Sequence, residues 1–156
     1  MSGEAAISEV LSRDLSDIHN ADTTKLAYIG DAVYEVYVRL KSAEACGRHA
    51  GEMNKYTVHY VRADSQAKAA RGMLRDIADN KEDVESGAFY TEEEAALFRR
   101  ARNRTNTAHP RGCTPAEYKL ATGFEAVIGW LYIRGDAKRL EEVINKAILI
   151  IDDHNY

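Results

Sequence analysis

The sequence predicts an all-α fold of about seven helices. Three observations carry that expectation. Apolar residues recur at three- and four-residue spacing, and no segment sustains the alternation of a half-buried strand. Capping residues stand at the heads of the periodic segments. Only two prolines interrupt 156 residues, of which 45% are apolar, enough for one domain over 1–156 to bury a substantial core.

In chain order, a first amphipathic stretch covers roughly 5 to 18. Asp22 and Thr23 then offer N-caps to a long helix that should run to about Ala45, with Gly47 and Gly51 bracketing the following loop. At about 100° per residue, Leu26, Ile29, Val33, Tyr37 and Leu40 form its main apolar stripe, the face expected to meet the core. Residues 52 to 62 and 65 to 78 read as two more helices, the second with Ala67, Ala70, Leu74 and Ile77 on one face. Thr91 and Glu94 make a capping box for a helix ending near Asn103. Thr114, Pro115 and Glu117 repeat the device with proline in the first turn, opening a helix that Gly135 should end. Asp136 caps the last helix, whose Leu140, Val143, Ile144, Ala147, Ile148 and Ile151 share one face.

The N-terminal "MSGEAAISEV" lacks an apolar run of signal-peptide length, and no stretch reaches the ~18 apolar residues of a membrane span. A soluble cytoplasmic protein is expected. Cys46 and Cys113 are far apart and neither belongs to a CxxC pair, so a disulfide framework or a zinc site has little support. The net charge of −4 argues against a general nucleic-acid binder, but it averages a contrast. Residues 81 to 94 hold six acids and one lysine, whereas 99 to 111, "RRARNRTNTAHPR", hold five arginines and no acid. Without those five cations the chain carries −9, so this segment alone is suited to an anion.

Two carboxylates stand in near-continuous apolar helices. In "LAYIGDAVYEVYVR" (26–39), Asp31 points away from the main stripe, toward Ala27, Tyr34, Glu35 and Val38. A helix covered on both sides would leave this carboxylate partly desolvated; the plainer alternative is a solvent-facing aspartate beside a packing glycine. In "YKLATGFEAVIGWLYI" (118–133), Glu125 shares its face with Tyr118, Ala121, Thr122 and Gly129, and Gly123 and Gly129 would let another backbone approach. A buried ion pair would explain Glu125 alone. Two such acids suggest one shared need, which a divalent cation with oxygen ligands would meet.

"LAYIGDAVYE" together with "TGFEAVIGWLY" resembles the two signature segments of the ribonuclease III nuclease domain. The chain as a whole is similar to the short bacterial form, mini-ribonuclease III, from about Asp22 to Ile148, including "VRADSQAKAARGM" and "TEEEAALFRRARN". The resemblance implies a homodimeric, all-helical, Mg²⁺-dependent endoribonuclease that cuts both strands of double-stranded RNA, leaving 5′-phosphate and 3′-hydroxyl ends. It points to the stem of precursor 23S ribosomal RNA as substrate. Asp31 and Glu125 match the family's metal-binding catalytic acids. Thr24, Ala27 and Thr122 stand where the long enzymes carry further acids, which thins the acidic shell. Tyr28 matches an aromatic that packs across the dimer, and could equally belong to the core.

Only 31 residues follow Glu125, enough to finish one helix and form another, so RNA binding is expected from the nuclease domain itself. A-form duplexes are recognised through phosphates, 2′-hydroxyls and groove shape. That directs attention to Arg99, Arg100, Arg102, Arg104 and Arg111. Arginines also favour helix C-termini for electrostatic reasons, so a solvated helix end competes with this reading. Glu35 suits a solvated neighbour one turn from Asp31, and His109 a polar contact in the loop. Two rivals remain: a catalytically inert duplex-RNA-binding ribosome-assembly factor, and a metal-dependent hydrolase of small phosphates. The retained pair of costly acids opposes the first, and the arginine loop opposes the second.

Overall fold

The computed structural model describes residues 22–78, 89–104 and 111–154, with 75–78 described by their backbone alone. The expected helix over 5 to 18, the side chain of Ile77, the acidic residues at 81–88 and the loop 105–110 with His109 lie outside the described residues. Six helices and no strand make up the described part: α1 (Thr23–Ala45), α2 (Ala50–Val61), α3 (Ala63–Ala78), α4 (Glu92–Arg104), α5 (Pro115–Arg134) and α6 (Ala137–Asp152).

Their ends obey local chemistry. The Asp22 carboxylate accepts from the Thr24 N–H at 2.8 Å. Reciprocal capping boxes open α4, between Thr91 and Glu94, and α5, between Thr114 and Glu117. Gly135 closes α5 at φ +79°, a left-handed conformation that glycine adopts without strain, and its N–H returns to the carbonyls of Leu131 and Tyr132. The Asp136 carboxylate accepts from the Arg139 N–H and starts α6.

Helix α5 is the axis of the fold. From Ala121 to Leu131 it is buried on nearly every side except at Thr122 and Glu125, and it packs against α1, α3, α4 and α6. A helix apolar all round must be central, because no face of it gains from water.

Helix α1 does not present the face read from its sequence. Its buried residues are Thr23, Leu26, Ala27, Gly30, Tyr34, Val38 and Ser42. Of the expected stripe only Leu26 is buried; Ile29, Val33 and Tyr37 are half-buried and Leu40 is 59% exposed. The reason is steric. A Cβ on Gly30 would lie 1.7 Å from the Glu125 carbonyl oxygen, and one on Gly129 would lie 2.0 Å from the Leu26 carbonyl oxygen. Backbone meets backbone at this crossing, so the small residues of α1 face α5 and several larger apolar ones face outward. Gly123, by contrast, accommodates the Phe98 ring rather than a second backbone.

Polar links brace the frame. Glu94, 2% exposed, pairs with Arg139 at 2.7 Å, and the guanidinium lies 4.7 Å over the Phe89 ring, joining α4 to α6. The Tyr34 hydroxyl donates to the Tyr60 carbonyl, and the Tyr60 hydroxyl donates to Asp152 at 2.7 Å, tying α1, α2 and α6. Lys68 donates to the carbonyls of Ile151 and Asp153 and caps the end of α6.

Candidate active site

The Gly30–Gly129 crossing decides where the two embedded carboxylates go. Asp31 follows the contact on α1, and Glu125 precedes Gly129 by one turn on α5. Both open into one cleft of about 450 Å³, whose wall also includes Thr24, Ala27, Tyr118 and Thr122. The three positions that the resemblance marks as acidic in the long enzymes, 24, 27 and 122, line the same cleft. In this chain they hold two hydroxyls and a methyl group, and the Thr122 hydroxyl is turned back onto the Tyr118 carbonyl at 2.9 Å.

The pair is electrostatically uneven. Burial, and then the neighbouring charge of Asp31, push the Glu125 carboxyl up to about 8, with the Gln66 amide acting in the opposite direction. Asp31 keeps more contact with solvent than a helix covered on both sides would allow. Partial burial and then the charge of Glu35 still raise its carboxyl. Glu35 itself is held by Arg39 at 3.3 Å, one turn along α1, as a solvated neighbour rather than a cleft group.

The five arginines separate. Arg104, the last residue of α4, lines the acid cleft. Arg99 and Arg100 are exposed on other faces of α4, where Ala101 points into the cleft. Arg102 lies 5.9 Å over the Phe98 ring and donates to Asn103, and Arg111 is exposed in the turn before α5. The structure brings one of the five to the carboxylates.

Tyr28 is 82% exposed at the cleft edge and is not a core residue. One and three turns further along α1, Ala32 and Leu40 are also exposed, with Val36 between them. One further cleft residue, Gln66, is not marked by charge or periodicity in the sequence. It is 1% exposed and lines the cleft from the first turn of α3. Its signal in the sequence is slight: a single amide at the head of the stripe formed by Ala70 and Met73.

The donor set is all oxygen. Two carboxylates share the cleft with threonine and tyrosine hydroxyls, and the Gln66 Oε1 is buried without a hydrogen-bond partner. Among the described residues no three His, Cys, Asp or Glu side chains converge. This composition fits a hard cation that takes few protein ligands and keeps much of its water, and it does not fit zinc, which prefers nitrogen and sulfur.

Residues 24–136 match the Ribonuclease III domain family. The chain is 34% identical over 127 residues to a Mini-ribonuclease 3 of Symbiobacterium thermophilum, covering 81% of this chain and 88% of that one. It is 30% identical over 141 residues to the Mini-ribonuclease 3 of Enterococcus faecalis, covering 90% and 98%. A crystal structure of a protein from Fusobacterium nucleatum superposes with a TM-score of 0.68 at 29% identity, covering 85% of this chain and 96% of the other. Among the described residues no helix is long and apolar enough to cross a membrane. With a family match across both acid-bearing helices and curated relatives similar along most of its length, the chain belongs to the ribonuclease III family, as a ribonuclease of its mini-ribonuclease 3 branch.

Proposed function

We propose that this ribonuclease hydrolyses phosphodiester bonds of double-stranded RNA, with Mg²⁺ held by Asp31 and Glu125, leaving 5′-phosphate and 3′-hydroxyl ends. The observation that carries the reading is the convergence of those two acids in one cleft, enforced by a glycine crossing that tolerates no side chain. A divalent cation bound there supplies charge relief at the phosphate and a more acidic water. The chain's own groups do the rest. Asp31 and Glu125 provide the anionic floor, and Arg104 on the wall meets phosphate charge that the acids would repel. Arg99, Arg100, Arg102 and Arg111, outside the cleft, suit the flanking backbone of a duplex.

Two strands are cut if two such clefts face one duplex. A homodimer built on the exposed apolar face of α1, with Tyr28, Val36 and Leu40, accomplishes this and explains why those residues are turned away from the core. The stem of a 23S ribosomal RNA precursor, in the cytoplasm, is the substrate proposed for this assembly.

The test is incubation with a duplex RNA and with each of its strands alone, with and without Mg²⁺, followed by sequencing of the ends. Cleavage confined to the duplex, dependent on Mg²⁺ and leaving 5′-phosphates supports the reading. Equal cleavage of the single strands, or cleavage undiminished by metal removal, refutes it.

A further inference from the structure

Thr24, Ala27 and Thr122 line the cleft beside the acid pair without adding a charge. A fourth group in the same cleft carries an oxygen with no assigned task. Gln66 sits in the first turn of α3, 1% exposed, between α2 and the cleft. Its Nε2 donates to the Val61 carbonyl at 2.8 Å, which satisfies an acceptor left over at the end of α2. That bond fixes the orientation of the amide, because the flipped form would set two oxygens against each other. Oε1 is left buried and unpartnered.

Capping α2 accounts for the nitrogen of this side chain only. An unpaired buried carbonyl oxygen forfeits its hydration and gains nothing in return. The nitrogen of the same amide acts on the Glu125 carboxyl as a donor and favours its charged form, so the side chain lies beside the more buried of the two acids, and the orphan oxygen is carried on the same amide carbon. An amide oxygen is a hard donor of the kind that magnesium and manganese accept, directly or through a coordinated water.

We infer that Gln66 completes the cation site: its Oε1 is the third protein oxygen, after Asp31 and Glu125, that faces the cation or its inner water, in a cleft where positions 24, 27 and 122 offer no carboxylate. The inference rests on the cation-dependent reading given above. Gln66 is on this account a positioning residue for the hydrated ion.

The test reads cation binding, independent of turnover. Mn²⁺ is titrated into the full chain without RNA at neutral pH, and free Mn²⁺ is followed by its electron paramagnetic resonance signal. Gln66→Met keeps the length and apolar bulk of the side chain and should weaken Mn²⁺ binding about tenfold or more, the range seen when supporting groups of metal sites are removed. Gln66→Glu puts a charge where the amide oxygen stood and should tighten binding, although it loses the bond to Val61. A residue that only caps α2 predicts otherwise: both variants would lower the urea midpoint and leave Mn²⁺ affinity unchanged, and that result overturns the inference. Glu125→Gln separates the two levels. If it abolishes Mn²⁺ binding while both Gln66 variants bind like wild type, the cation site stands and the role of Gln66 falls. If wild type shows no saturable binding that depends on Glu125, the cation-dependent reading and this inference fall together.

Discussion

Replacing Gly30 by alanine tests the link between the fold and the chemistry. The new methyl carbon would stand 1.7 Å from the Glu125 carbonyl oxygen, 2.6 Å from its carbon and 2.8 Å from the Gly129 nitrogen. Real Cβ atoms do not come within 3.0 Å of such neighbours, so α1 and α5 must part locally by at least 1.3 Å. The obstacle is helical backbone on both sides, which cannot rotate aside as a side chain can. Overpacked cores lose about 1–3 kcal/mol when side chains can yield, so a loss of about 3 kcal/mol or more is expected here. With a urea dependence of about 1.5 kcal/mol/M, the unfolding midpoint falls by roughly 2 M. The same opening moves Glu125 relative to Asp31 by about 1 Å, which typically costs about a hundredfold in rate. Gly51→Ala is the control, since a methyl group there meets nothing within 4 Å and should leave both quantities unchanged or slightly raise the midpoint. A Gly30→Ala protein with wild-type midpoint and wild-type cleavage would refute the crossing as the device that positions the acids.

Three further outcomes are expected. Glu125 ordinarily titrates at 4.5 and is pushed up to about 8 in the fold, so between those values the native state holds a proton that the unfolded chain releases. Without divalent metal, stability is therefore full below about pH 4.5 and declines as pH rises toward 8, by roughly 5 kcal/mol at most; Glu125→Gln should flatten that decline in urea titrations, and an unaltered slope would contradict it. Arg104→Ala should lower turnover even at saturating duplex, whereas Arg99→Ala with Arg100→Ala should weaken binding and flatten its salt dependence without changing saturated turnover; identical behaviour of the two variants would remove the distinction drawn from the cleft. Glu94→Gln, which leaves Arg139 with only the exposed Glu142 carboxylate and the Phe89 carbonyl as partners, should cost about 2 kcal/mol in chemical denaturation while the remaining folded enzyme cuts normally, and a change below about 1 kcal/mol would show that this ion pair is not a brace.

Helix ends were legible in the sequence because they depend on a few adjacent residues. Thr114, Pro115, Glu117 and Gly135 bound α5 as read, since capping boxes and a left-handed glycine are local chemistry. The face of α1 was not legible in the same way. Leu26, Ile29, Val33, Tyr37 and Leu40 make the stronger apolar stripe, but hydrophobicity states a preference for leaving water and not the surface against which to do so. The contact with α5 selected the side bearing Gly30 and Ala27, where two backbones can touch, and turned Val36 and Leu40 outward. The two acids stood out because a charge in an apolar helix is conspicuous. Two isolated acids in apolar helices suggested one shared need, but no spacing along the chain relates position 31 to position 125, so their place in one cleft came from the helix crossing. Five clustered arginines likewise reveal a charged segment without revealing that Arg104 alone turns into the cleft. Gln66 is not legible in the sequence, because a neutral amide among alanines disturbs neither charge nor periodicity; its unpaired oxygen exists only in three dimensions.

The most direct test of the account is single-turnover cleavage of a duplex RNA at saturating enzyme by wild type, Asp31→Asn and Glu125→Gln in Mg²⁺, with RNA affinity measured in parallel in Ca²⁺. Each substitution keeps the side-chain shape and removes one charge from the cleft floor. Both variants should bind the duplex as wild type does and cut it at least a thousandfold more slowly, about 4 kcal/mol of transition-state stabilisation, and the double variant should be little worse than either alone. Cleavage by Asp31→Asn within tenfold of wild type would contradict the assignment of the chemistry to this pair of acids.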